Sequence, residues 1–197
     1  MNNFKILLLL LIMLVLVGCS TTPPSRFYVL TPQATSNLDT KNFDLVVGVG
    51  PVRLVAYLER PQIVARESAN QLKVKEFDRW GGALDTNITW VLAENLSLEL
   101  GTDAVVTFPW ERAVLPDFQV TIDIRRFDAT GSGEIQLSAQ WRILGDDGRK
   151  LFAIQKSEFI EPMENVGFAA QVAAQSRALA RLSNAIAVQI GELRPDR

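Results

Sequence analysis

Histidine is absent from all 197 residues. That removes Ser-His-Asp and Cys-His nucleophilic schemes, and with them nearly every familiar zinc, copper or haem site. Carboxylate-only and Ser-Lys chemistry are what remain. Cysteine is represented once, by Cys19, so no internal disulfide can form and packing must carry the fold. A glycine-rich phosphate loop is missing too: Gly48-Val49-Gly50 lacks a third glycine and runs into Pro51, which prevents a dinucleotide-binding helix from following. Lysines and arginines total 20 against 22 acidic side chains, interspersed along the chain with no basic stripe, so no nucleic-acid partner is expected. Asp146-Asp147-Gly148 lacks the spaced acids and terminal Glu of a calcium loop and reads as a hairpin turn. The chain reads as a non-enzyme, with no catalytic residues, no metal site and no cofactor.

Nor is there an apolar run of the roughly 20 residues that a permanent membrane span needs. What stands at the N-terminus is shorter: Lys5, then apolar Ile6 to Val17, then Gly18-Cys19. This is the layout of a bacterial secretory signal. Its Leu16-Val17-Gly18-Cys19 ending resembles the lipobox, in which the cysteine thiol takes a diacylglycerol, the chain is cut between Gly18 and Cys19, and the freed α-amine takes an N-acyl chain. One acyl chain holds a protein only marginally, whereas several hold it almost permanently. By the sorting rule that the lipobox resemblance implies, Ser20 in place of an Asp points to the outer membrane and a periplasm-facing protein. Loss of residues 1–18, whose one charge is Lys5, takes 197 residues to 179 and the net charge from −2 to −3, enough for one domain with a sizeable core.

Residues 19–42 read as the lipidated N-terminus and a spacer, broken by Thr21-Thr22-Pro23-Pro24 and Thr31-Pro32. One island of strand propensity, Arg26 to Leu30, is either an edge strand or a free binding segment. Residues 43–197 form a single domain. Phe43 to Val52 suggests a strand buried on both faces. Gln62–Arg66 and Gln71–Phe77 suggest a hairpin, and Ala104–Phe108 a brief strand. Phe118–Phe127, Glu134–Leu144 and Lys150–Ile160 suggest an antiparallel meander. In its middle strand Ile135, Leu137, Ala139, Trp141 and Ile143 share one face. A helix is expected through Ile88, Val91, Leu92, Asn95, Leu96 and Leu100, capped by Asp85 or Thr86 and ended by Gly101. A second is expected over residues 165–193, with an apolar stripe from Phe168 to Ile190 and with Gln171, Arg177, Arg181 and Gln189 mostly off it. Its stripe covers the sheet or faces a partner. The expected fold is α+β: a mixed, largely antiparallel sheet with two main helices packed on one face.

Several blocks carry a resemblance. Phe27-Tyr28-Val29-Leu30, Val49-Gly50-Pro51-Val52, Tyr57-Leu58-Glu59-Arg60-Pro61-Gln62-Ile63-Val64, Glu76-Phe77-Asp78-Arg79-Trp80, Leu92-Ala93-Glu94-Asn95-Leu96 and the closing Ala-rich helix together resemble the ABC-type transport auxiliary lipoprotein family over the mature chain. Gly81-Gly82-Ala83-Leu84 departs from it, where a more polar stretch ending in Pro-Leu is expected. The resemblance implies an outer-membrane lipoprotein that docks, as a periplasmic adaptor, to an MCE-type phospholipid transport system. Its partners would be an MCE-domain protein, membrane permease components and the lipids around the anchor, with a homo-oligomer plausible on a multimeric partner. It implies no catalytic residues. A regulator or scaffold of an envelope enzyme such as a cell-wall synthase is the alternative, and a carrier with its own lipid cavity is a third. Tyr57, Leu58, Arg60 and Pro61 are candidate partner contacts, since aromatic and Arg side chains are enriched at binding hot spots. The same loop could equally be a satisfied turn, with Arg60 paired to Glu59 or Asp78. Trp80 is expected to pack beneath a helix, flanked by an ion pair.

Overall fold

The computed structural model describes residues 3–6, 23–33 and 45–193. Gly18 and Cys19, the expected cleavage and lipidation point, lie outside the described residues. One sheet of eight strands is built from β1 (Arg26–Tyr28), β2 (Val47–Leu54), β3 (Gln62–Ser68), β4 (Gln71–Trp80), β5 (Val105–Thr107), β6 (Phe118–Ala129), β7 (Glu134–Gly145) and β8 (Lys150–Pro162). Among the described residues two long helices, α1 (Leu84–Leu100) and α2 (Phe168–Leu193), pack against each other and lie on one face. The α+β architecture is as the sequence pattern indicates. No described helix is long and apolar enough to cross a membrane.

Strands β6, β7 and β8 form the antiparallel meander. Strict alternation along β7 drives it: Ile135, Leu137, Ala139 and Ile143 are wholly buried beneath the helices and Trp141 nearly so. The opposite face is polar and internally paired. Arg142 meets Asp123 at 2.7 Å, and Arg125 donates to Gln140 at 2.6 Å. Asp146 and Asp147 have φ of 52° and 54° and Gly148 has 78°, a left-handed run that closes the β7–β8 hairpin.

The outer edge of β6 is shared, and this sets the topology. Its first half pairs in parallel with β2, from Val47 opposite Phe118 to Leu54 opposite Ile124. Its far end pairs with β3 through Ala65 opposite Ala129. The sheet therefore forks into a β2–β5 limb and a β3–β4–β1 limb, and residues 55–61 bridge the fork. Strand β2 is buried on both faces, as its apolar run suggests, but no second helical layer does this. Trp110 and Pro116 lie over Gly48 so closely that a Cβ there would stand 2.8 Å from the indole.

Helix α1 starts at Leu84 after an extended Ala83, with no side-chain cap. Capping by Asp85 or Thr86 is not realised. Leu84 is drawn into the core, which moves the start upstream and leaves Asp85 inside the first turn, accepting from the Thr86 N–H at 2.8 Å. A carboxylate there still favours the helix N-terminus. Gly101 ends the helix with φ 61°.

On α2 the apolar stripe faces the sheet, but Gln171 does not lie off it. Gln171 and Gln175 are buried and donate to the carbonyls of Val64 and Phe127 at 3.1 and 2.9 Å. Both carbonyls sit at the fork, where β3 and β6 share a single register pair. Buried backbone groups need partners, and two glutamines supply donors where the ladder is broken. No apolar periodicity could show that.

The Arg26–Leu30 island is an edge strand, parallel to β4, and the docked stretch is longer than its strand propensity suggests. Leu30 is 1% exposed. Its N–H donates to Asn87 Oδ1 at 2.7 Å and its carbonyl accepts from Asn87 Nδ2 at 3.3 Å. The Thr31 N–H donates to Ser176 Oγ at 3.2 Å, and that of Gln33 to Asn95 Oδ1 at 2.9 Å. Residues 30–33 thus form a strap along the α1–α2 seam, held by polar side chains that both helices present to it.

Candidate functional site

The bridge across the fork holds the candidate contact residues. Val55 donates to the Ile124 carbonyl at 3.1 Å, and a single 3-10 turn, Ala56–Leu58, follows. Leu58, Glu59 and Arg60 donate in turn to Val55, Ala56 and Leu58. Pro61 then opens β3, and its carbonyl accepts from the Trp80 N–H at 2.7 Å.

Two of the four candidate side chains point inward. Leu58 is a core residue, 4% exposed. Tyr57 is half-buried, and its hydroxyl donates to Asp128 Oδ2 at 2.6 Å. Asp128 sits on the outer face of β6 yet is wholly buried, because its donors cover it. Arg66 grips it with two bonds, Nε to Oδ1 at 3.2 Å and Nη2 to Oδ2 at 3.0 Å. Arg126 adds Nε to Oδ1 at 3.0 Å. A carboxylate out of water requires this saturation. Burial, and then the hydrogen bond to Asp128, push the Tyr57 phenol up to about 12. The bond to Asp128 likewise raises the Arg66 guanidinium. Tyr57 is therefore the peg that fastens the turn to the sheet.

Arg60 and Pro61 are exposed, as is Glu59. Neither acid considered for Arg60 takes it. Asp78 is held by Arg26, at 2.8 and 3.0 Å, and by the Tyr28 hydroxyl at 3.1 Å. Among the described residues no hydrogen bond or ion pair holds the Arg60 side chain. Trp80 is buried in the core cluster, with the Arg26–Asp78 pair on one side and Arg79–Glu76 on the other.

Between this loop and the start of α1 lies an open groove of about 450 Å³, with Leu54, Leu58, Arg60 and Pro61 on one wall and Leu84 and Asp85 on the other. It adjoins a second of about 300 Å³ that runs past Asp85 to Thr89, Trp90 and Phe108. Trp90 and Phe108 are each 49% exposed, and Phe108 is braced edge-on by Trp110 at 5.5 Å. Around the first turns of α1, one surface thus carries two half-exposed aromatics, an exposed guanidinium and two carboxylates. Such a set suits a protein contact. No group of three or more acidic, Cys or His side chains that could hold a metal occurs among the described residues.

Trp90 and Phe108 were not among the sequence candidates. One signal was available for Trp90: it falls opposite the Ile88–Val91–Leu92 face of its helix, where a polar residue is expected. Phe108 carries no such signal, since a loop aromatic before proline can turn either way.

The sequence model for the ABC-type transport auxiliary lipoprotein component matches residues 28–187. No curated protein matches the sequence. Among solved structures, an uncharacterized protein is 18% identical over 85% of this chain and 99% of its own, with a TM-score of 0.71. A protein from Xanthomonas campestris is 16% identical over 85% of this chain and 98% of its own, also with a TM-score of 0.71. At such identities the likeness is one of fold.

Proposed function

Because the chain belongs to the ABC-type transport auxiliary lipoprotein family, we propose that it is the outer-membrane, periplasm-facing adaptor of an MCE-type phospholipid transport system. Membership makes it a membrane-anchored envelope lipoprotein that serves a transport system; the family is not one of known enzymes. The outer membrane is inferred from Ser20 after the lipidation cysteine, and the MCE-domain and permease partners from the family's role.

The observation that carries the docking role is the surface around the α1 N-terminus. The family blocks Val49–Val52 and Tyr57–Val64 converge on it from separate strands, and its Phe108 is braced by Trp110. Tyr57 and Leu58 fix the loop from beneath, while Arg60 and Pro61 present its outer side, with Trp90 and Phe108 completing the surface. Rigid aromatic anchors lose little entropy on binding.

A photocrosslinking residue at position 60 in the full chain, in intact envelopes, tests this. We expect an MCE-domain protein to be captured there, and capture to fall about tenfold or more with Trp90→Ala, as truncation of a hot-spot aromatic does. Capture of a cell-wall synthase and no MCE protein would replace this reading with the regulatory one. Capture from a control position in the β7–β8 hairpin, and not from position 60, would remove the surface.

A further inference from the structure

We propose that the end of the domain bearing the β3–β4 hairpin lies against the membrane that holds the anchor, and that Lys73 and Lys75 there receive the phosphate of an anionic phospholipid. This rests on the lipidation of Cys19 proposed above.

The number of residues between the anchor and β1 is the first ground. Arg26 is fixed opposite Asp78, in register and by its ion pair, so only the six residues 20–25 lie between Cys19 and Arg26, seven Cα–Cα steps in all. Fully extended they span at most about 25 Å. A body of roughly 150 residues is about 40 Å across, from a radius of gyration of about 15 Å. The tether is shorter than the domain is wide, so the domain cannot turn its far side to the lipid.

The direction of the chain selects which side faces down. Strand β1 runs parallel to β4, so residues before Arg26 come from the side where β4 begins. Lys75 is three positions before Asp78 on β4, about 10 Å away. Between it and α2 opens a cavity of about 630 Å³. Its apolar wall includes Met163, Val166 and Phe168, and its polar wall Thr130 and Ser132. Val166 is fully exposed. Phe168 touches the Tyr28 ring of β1 at 6.3 Å, which ties the cavity to the anchored strand.

Charge supplies the third ground. Among the described residues, Lys73 and Lys75 are the only ionisable side chains lining the cavity. Lys73 stays half-exposed beside Glu67 at 3.8 Å, and no ion pair holds Lys75 among the described residues. The neighbouring acids are engaged: Glu76 by Arg79 and Gln62, Glu164 by Arg177, and Glu134 by Ser132. An open cavity with an apolar wall and cations as its only charges matches a phosphate joined to an acyl-bearing glycerol.

The test uses the full lipidated chain in phosphatidylcholine vesicles with and without phosphatidylglycerol, with amine labelling of each lysine read by mass spectrometry. Phosphatidylglycerol should slow Lys73 and Lys75 about five-fold each, the worth of one cation at an anionic surface, and leave Lys150 and Lys156 on β8 unchanged. Hydrogen exchange of residues 163–167 should slow in the same vesicles, and not in Lys73→Gln/Lys75→Gln. Equal labelling with both lipids, or slowed exchange in the variant too, would overturn the proposal. So would equal protection of the detergent-solubilised chain by inorganic phosphate, which marks a soluble-anion site. An unlipidated Cys19 in the same spectra would overturn both the anchor and this orientation. Loss of the position-60 crosslink bears on docking alone.

Discussion

Replacing Tyr57 with Phe takes one hydrogen bond from Asp128 and changes almost no packing. The magnitude follows from the geometry. A hydrogen bond to a charged group contributes about 1.5–3 kcal/mol. Asp128 keeps Arg66 and Arg126 after the change, and the phenol position is half-buried, so the low end applies and we expect about 1.5 kcal/mol. Asp128→Asn preserves shape but leaves two guanidinium groups, 19% and 25% exposed, against a neutral amide. Losing one partner of a buried pair costs about 3–5 kcal/mol, and partial hydration of the arginines holds this case to about 3. In the Asp128→Asn background the phenol has only a weak acceptor, so Tyr57→Phe should cost about 0.5 kcal/mol. The coupling is then about 1 kcal/mol, within the range for residues in one network. Urea unfolding followed by tryptophan fluorescence reads this directly. With a slope of about 2.5 kcal/mol/M, the first change moves the midpoint by about 0.6 M. Equal costs of Tyr57→Phe in both backgrounds would refute the view that Asp128 pegs the turn, and with it the account of how Arg60 is positioned.

The same phenol predicts a dependence on pH. Its value of about 12 in the fold lies above the ordinary 10, so the folded state prefers the neutral form; that stabilisation is complete below pH 10 and declines toward 12. The midpoint difference between the parent and Tyr57→Phe should therefore shrink from about pH 9 to about pH 11, and a constant difference would contradict the assignment. Leu30→Ala empties a buried site beneath the strap and should cost about 3 kcal/mol, with faster hydrogen exchange at residues 26–33 before the meander is affected; uniform acceleration across the sheet would show that the strap is no separate unit. Gly48→Ala drives a Cβ to 2.8 Å from the Trp110 ring, an overpacking worth about 1–3 kcal/mol. It should be relieved by Trp110→Leu, and failure of that rescue would place the strain elsewhere.

The candidate docking surface was half legible. The Tyr57–Pro61 block is marked by its residue types, yet types alone left open whether it is a contact or a satisfied turn. The structure divides it: Tyr57 and Leu58 turn inward, while Arg60 and Pro61 turn outward. The division depends on Asp128, 71 positions away along the chain from Tyr57, and no local pattern links the two. Trp90 and Phe108 join Arg60 because Asp85 lines both grooves, a proximity created by the packing of α1 behind the fork.

Whatever depends on neighbours within a few residues was readable from the chain alone. Alternation along Glu134–Leu144, helical spacing from Ile88 to Leu100 and the turn at Asp146–Gly148 fix element types, because burial of one face imposes a period on the chain. The missing histidine removes whole classes of chemistry with no need of coordinates. Long-range packing settled the rest. Strand β6 shares one edge between β2 and β3, so the sheet forks and Gln171 and Gln175, polar by type, become interior donors. Leu30 to Gln33, the last three of them spacer by composition, become a strap because Asn87, Ser176 and Asn95 on two separate helices accept from the N–H groups of Leu30, Thr31 and Gln33. Backbone groups bond to whatever the fold brings near, and that choice is made across distances that composition and periodicity do not encode.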